Sequence, residues 1–299
     1  MGANLELLKQ LDGFENDFGS AFDLEELAAV HFDLFQIQVA PYESIFLDDA
    51  GMVGGAIAEA VMDANRNFGC VVEANEFSLD HVGNELKVLS NLCLAAQLAS
   101  SRNSQTELAR AEQAQQEFLH THLLRWIHPF VLVVRSQPVA LFPGLAELLL
   151  ECLHEHAESF AEMLPARSDE QPENEPSPRF SSARKIAHWL SLPCQCGFFL
   201  DKRTITALGR SAGLPSGFGT RQDMMENLFE SAAHYSSVPH LVENLKSLGS
   251  ETEAAYREFS EKWPASKRHL DHWISLTTQT MTLLDELISP GERADETDV

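Results

Sequence analysis

Two pairs of residues have the spacing of metal chemistry. Glu117-Phe-Leu-His120 and Glu151-Cys-Leu-His154 are Glu-x-x-His sequences on expected helices, the arrangement by which helical bundles hold paired iron or manganese. Such a centre needs two further glutamates on two other core helices. The plain alternative is that His120, His122, His154 and His156 lie at helix surfaces or bundle edges. Cys194-Gln195-Cys196, with His188 nearby, could seed a zinc site. Structural zinc needs four ligands and prefers cysteines two or more residues apart, and no second half follows. A redox-sensitive or merely buried pair is the competing reading. Asp201–Phe229 has the outline of a helix-turn-helix around Gly213-Leu-Pro-Ser-Gly-Phe-Gly219, with Lys202, Arg203, Arg210 and Arg221 close by. No Gly-rich phosphate loop or His-Glu-x-x-His sequence accompanies them.

Charge weighs against nucleic acid as a partner. Lys and Arg number 21 against 45 Asp and Glu, a formal charge of −24 that repels phosphate backbones and anionic lipid. The bias is local. Between Gln10 and Asn65 there are twelve acidic residues, from Asp12 to Asp63, and no Lys or Arg. A solvated face explains this segment; so does a docking surface for a basic peptide. The N-terminus shows no cationic region followed by an apolar stretch, and Val139–Leu153 is too short and too interrupted to cross a membrane. A cytoplasmic protein without a membrane span is expected. Five cysteines, an odd number mostly set singly among apolar residues, suit a reducing compartment.

The elements that must position these residues are helices. Apolar residues recur at spacings of three and four, and no strand is expected even at Val131–Val134. The expected helices are Phe22–Val39, Ala56–Phe68, Ser78 to about Ser100, Thr106–Arg135 and Leu145–Leu164. After these come Ser182–Leu190, Asp201–Ala212, Thr220–Tyr235, Ser237–Leu248, Glu251–Lys262 and Pro264–Ile288. Leu79, Val82, Leu86, Leu89, Cys93 and Ala96 should share one buried face, with Ser78 as N-cap. Phe118–Val134 is apolar nearly all round and should be central to the core. Residues 165–182 turn abruptly to Ser, Asp, Glu, Gln and Pro, a composition that cannot bury enough apolar area to order itself. The expected organisation is a helical core over 1–164, a linker or loop over 165–182, a C-terminal helical region over 183–288 and an acidic tail over 289–299.

Three segments in order resemble one family. Pro41-Tyr42-Glu43-Ser44-Ile45-Phe46-Leu47 is similar to the Pro-Tyr-Glu-Ser-Val-Tyr-Leu segment of TorD/DmsD/NarJ-type chaperones. Leu79-Asp80-His81, followed after three residues by Glu85-Leu86, resembles that family's Pro-x-Asp-His and Glu-Leu, with Ser78 in the place of its proline. Phe118-Leu-His-Thr-His122-Leu-Leu-Arg-Trp126 resembles its His-Leu-x-x-Trp helix. The resemblance implies an all-α, TorD-like helical bundle, here extended by additional C-terminal helices. It also implies a chaperone, not an enzyme and with no cofactor of its own. Such a protein binds the immature catalytic subunit of a molybdopterin oxidoreductase, or that subunit's twin-arginine signal peptide, until cofactor is inserted. Tyr42, Glu43, Asp80, His81, Glu85, His122 and Trp126 would mark or support the client site, in a monomer or a homodimer. A di-metal bundle oxidase and a helix-turn-helix regulator are the rival readings.

Overall fold

The computed structural model describes residues 24–67, 78–138, 141–160, 182–215 and 217–288. Residues 165–181 of the expected linker, the tail, Cys70 and the acidic residues before Leu24 lie outside them. The fold is all-α, and the only extended pairing among the described residues is a single antiparallel bridge between Tyr42 and His81.

The first half contains α1 (Leu24–Phe32), which continues as a π-helical turn over Asp33–Gln38, then α2 (Glu43–Leu47), α3 (Gly55–Asn67) and α4 (Val82–Ser101). It goes on with α5 (Gln105–Phe118), a π-helical turn over Leu119–Leu123, α6 (Leu124–Arg135) and α7 (Leu141–Glu158). The second half contains α8 (Ala183–Ser191), α9 (Pro193–Cys196), α10 (Lys202–Ser211), α11 (Arg221–His234) and α12 (Val238–Lys262). A 3-10 turn at Pro264–Ser266 then leads into α13 (Lys267–Ile288).

Caps fix several starts as the sequence indicates. Ser182, Asp201 and Thr220 each accept from a backbone N–H in the first turn, and Thr220 forms a reciprocal capping box with Asp223. Elsewhere the structure departs from expectation. His81, not Ser78, caps α4, its Nδ1 accepting from Gly83 N–H at 3.0 Å. The fully buried face of α4 carries Asn84, Glu85, Val88, Leu89, Leu92 and Ala99, while Leu79, Val82, Leu86 and Cys93 are only partly covered. The expected single helix Thr106–Arg135 is interrupted by the π turn, and Gly249 does not stop a helix but lies inside α12. There it permits close approach to α13: a Cβ would lie 3.2 Å from Met281 Cγ.

Two apolar cores result. Phe46, Phe118, Trp126, Phe130 and Leu150 build the first, and Tyr256, Phe259, Trp263 and Trp273 join it from the C-terminal helices. Ile186, Leu190, Leu208, Met225, Leu228, Leu245 and Leu284 build the second. Hence α12 and α13 serve both: Leu241 and Leu245 face one core, Tyr256 and Phe259 the other. One polar tie is dictated by Pro129 inside α6. Proline supplies no N–H, so the carbonyl four residues earlier is left open. Trp273 Nε1–H donates to that carbonyl, Arg125 O, at 2.8 Å.

Candidate functional site

The seven candidate residues converge at one place, where the segment before α2 meets the start of α4. Glu43 N–H donates to Asp80 O at 2.9 Å and Val82 N–H to Pro41 O at 3.0 Å, forming the bridge. A five-residue helix such as α2 cannot satisfy its own first N–H groups. Asp80 does so from a distance: its carbonyl takes Glu43 N–H and its Oδ2 takes Ser44 N–H at 3.1 Å. Ser44 Oγ donates to the same Oδ2 and accepts from Gly54 N–H at 3.0 Å. Asp80 therefore caps α2 across the chain, and His81 caps α4. The structure clasps two helix starts together.

Behind the clasp lie buried acids with chosen partners. Glu43, 1% exposed, has Oε2 at 2.9 Å from His122 Nδ1, which the π turn brings inward. Arg125 Nη1 stands 3.9 Å from the other oxygen, Oε1. Glu85, fully buried, accepts from Trp126 Nε1–H at 3.2 Å. Burial, then the neighbouring Glu43 carboxylate, holds the Glu85 carboxyl well above its ordinary range, against the opposing effect of the indole bond. Trp126 is itself enclosed, with ring centroids 5.4 Å from Phe46 and 5.5 Å from Phe130. Asp80 is fully buried too.

Only Tyr42 and His81 among the seven are half-buried and reach the surface, their rings meeting edge to face at 5.0 Å. Burial lowers the His81 pKa, and the nearby Asp80 charge opposes that change. Burial, and then the Asp80 charge, raises that of Tyr42. Ser44 and Arg125 complete the arrangement and are not among the seven. Both lie inside the segments that carry the resemblance, so their position in those motifs was the available signal.

The other chemical candidates do not assemble. His120 faces His269 at 3.2 Å and His154 faces His128 at 3.2 Å, while Glu151 binds Lys262 at 3.0 Å and Glu117 is exposed. His120, His122 and His154 are thus buried against ring or carboxylate partners instead of lying at helix surfaces. Among the described residues no three His, Cys, Asp or Glu side chains are placed to hold a metal ion. Cys194 Sγ–H donates to Asp48 O at 3.4 Å and Cys196 Sγ–H to Phe198 O at 2.9 Å, two different directions. Burial pushes these thiols up to about 11 and about 12, so neither is a ready thiolate. In the α10–α11 pair, Arg203 is spent on Asp33 and Gln137, and Arg221 lies half-buried over the Phe199 ring at 3.9 Å.

Gly209-Arg-Ser-Ala-Gly213 spells Gly-x-Ser-x-Gly. Its chemistry needs a strand-to-helix elbow. Ser211 instead ends α10, donating to Leu208 O at 2.9 Å and accepting from Asn244 at 2.9 Å.

Residues 3–132 match the family model described as the nitrate reductase delta subunit. Among curated proteins, the chain is similar to Chaperone protein TorD of Vibrio cholerae serotype O1, strains ATCC 39541 / Classical Ogawa 395 / O395 and M66-2. Each is 32% identical over 110 residues, covering 35% of this chain and 48% of the relative. The match thus spans about half the length of these relatives. No solved structure matches the chain. The matched region contains the whole clasp, from Pro41 to Trp126, and over residues 3–132 this chain is similar to the nitrate reductase delta subunit family.

Proposed function

We propose that the chain is a cytoplasmic maturation chaperone, without catalytic activity of its own. It binds the immature catalytic subunit of a molybdopterin oxidoreductase, or that subunit's twin-arginine signal peptide, and assists cofactor insertion and assembly. The observation that carries this reading is the family match over residues 3–132, which takes in every residue of the clasp. Curated relatives named TorD chaperones support it. No described helix is long and apolar enough to cross a membrane.

Burial divides the seven residues by role. Tyr42 and His81 touch the client, because they alone reach the surface. Glu43, Asp80, Glu85, His122 and Trp126 position them from behind. The exposed carboxylates Glu25, Glu26, Asp49, Glu59 and Asp63 belong to the acidic N-terminal segment and would steer a cationic peptide toward this half of the molecule.

Affinity capture from cells expressing respiratory molybdoenzymes, followed by mass spectrometry, tests the reading. A molybdoenzyme catalytic subunit should co-purify with the native chain and be lost with the Tyr42→Ala/His81→Ala variant, whose helicity should be unchanged. A preparation free of any such subunit would sink the proposal.

A further inference from the structure

In a chain with 45 acidic residues against 21 Lys and Arg, basic groups gather at one place beside the clasp. The π turn brings His120, α6 brings Arg125, and the first two turns of α13 bring Arg268, His269 and His272. Two contacts hold these elements in register. His120 Nδ1 lies 3.2 Å from His269 Nε2, with the two rings stacked at a centroid distance of 5.5 Å. Trp273 Nε1–H, one turn beyond His269, donates to Arg125 O at 2.8 Å. The Arg125 side chain reaches back to Thr121 O, next to His120, with Nη1 at 3.4 Å.

Donors outnumber acceptors here. A neutral imidazole has one acceptor nitrogen, yet His269 Nε2 is met at 3.2 Å both by Arg268 Nε–H and by His120 Nδ1. One lone pair cannot fully serve both neighbours. Arg268 is exposed, and among the described residues no carboxylate lies in salt-bridge range of it. Arg125, 46% exposed, has Glu43 Oε1 at 3.9 Å, but Glu43 gives its other oxygen to His122. Asp271, the nearest acid along α13, is taken by Lys267 at 2.9 Å. The rings feel the guanidinium charges. Burial, then Arg268, lowers the His120 pKa to about 4, and burial, then Arg125, lowers that of His272.

We propose that Arg125, Arg268, His120, His269 and His272 form a binding site for a phosphate group. Guanidinium forks match the spacing of phosphate oxygens, and those oxygens supply the acceptors that the cluster lacks. A metal ion does not suit the place, because two fixed cations would repel it. A nucleic-acid backbone suits it no better: a formal charge of −24 repels an extended polyanion, whereas one compact anion needs this patch alone. The site stands whether or not the chain is a chaperone, because Tyr42 and His81 take no part in it.

Titration calorimetry of the full chain at low ionic strength tests it, with inorganic phosphate and glycerol phosphate as probes and acetate as the comparison. Both phosphates should bind saturably, and Arg268→Gln should weaken them by about tenfold or more, the worth of a hydrogen bond to a charged group. Lys267→Gln makes the same charge change one residue away and should alter affinity by no more than about twofold. Tighter binding of the ester identifies the ligand as a phosphorylated small molecule; equal binding identifies it as the free anion. In the native chain, the ring resonances of His120, His269 and His272 should shift on phosphate addition, a readout that needs no variant to fold. The proposal is overturned by the absence of saturable binding, by acetate binding as tightly, by equal losses in R268Q and K267Q, or by ring resonances that stay in place.

Discussion

Mild acid should destabilise this chain through two histidines outside the clasp. His128 on α6 and His154 on α7 are fully buried, with their Nε2 atoms 3.2 Å apart. His154 Nδ1 lies 2.9 Å from Ser266 Oγ, and its ring stacks on Trp263 at a centroid distance of 4.0 Å. In the neutral pair one Nε2 carries a hydrogen and the other accepts it. A further proton would set N–H against N–H without solvent. Burial accordingly lowers the two pKa values to about 3 and about 2, from 6.5. Below pH 6.5 the unfolded chain binds protons that the native chain refuses, so the stability present above that pH is lost as pH falls. At about 1.4 kcal/mol per pH unit per group, acidification to roughly pH 4.5 costs about 2.7 kcal/mol for each histidine and about 5 kcal/mol for the pair. That is a large share of the ~5–15 kcal/mol that ordinarily separates folded from unfolded domains. Urea titrations between about pH 7.5 and pH 4.5 measure it, with His128→Leu/His154→Phe as the comparison. The double variant keeps apolar packing on Trp263 and should show about 5 kcal/mol less acid loss. The reasoning is refuted if the native midpoint holds steady over this range, or if the double variant falls as steeply.

Three further outcomes follow from particular contacts. Asp80→Ala removes the acceptor for two Ser44 donors and leaves Ser44 N–H buried; a loss of about 3 kcal/mol is expected in denaturant titration, with little change in helicity. Trp273→Phe keeps an aromatic ring but strands the Arg125 carbonyl that Pro129 leaves open, costing about 1–2 kcal/mol by the same measurement. Gly197→Ala should be the most severe of the three. Gly197 sits at φ +85°, and a Cβ there would lie 2.3 Å from Thr277 N, so backbone strain and overpacking together cost about 2–5 kcal/mol, read as a lowered thermal midpoint.

Much of the fold was legible because its signals are local. Ser182, Asp201 and Thr220 announce helix starts through capping geometry that needs no tertiary information. Gly249 shows where this fails: a glycine that reads as a stop is kept inside α12 because Met281 of α13 packs against it. The π turn at Leu119–Leu123 was equally hidden, since its purpose is to bring His122 to Glu43, 79 positions away in sequence. The candidate residues could be gathered only through the three motif segments. Their burial could not be read from those segments, because a carboxylate such as Asp80 looks like a surface residue until α2 is seen to need its oxygens. The same holds for Glu85, whose partner Trp126 is supplied by a distant helix. The buried histidines were misplaced for a related reason. Polar residues on an amphipathic helix suggest solvent, and only the pairing of α6 with α7 turns His154 into a core group.

Direct binding to a molybdoenzyme catalytic subunit, measured by calorimetry with the subunit in cofactor-free and cofactor-loaded forms, tests the central claim most closely. The account predicts that the cofactor-free form binds at least about tenfold tighter, a difference of about 1.4 kcal/mol, and that Tyr42→Ala/His81→Ala weakens this binding without altering the fold. Equal affinity for the two forms, or no binding to either, would contradict it.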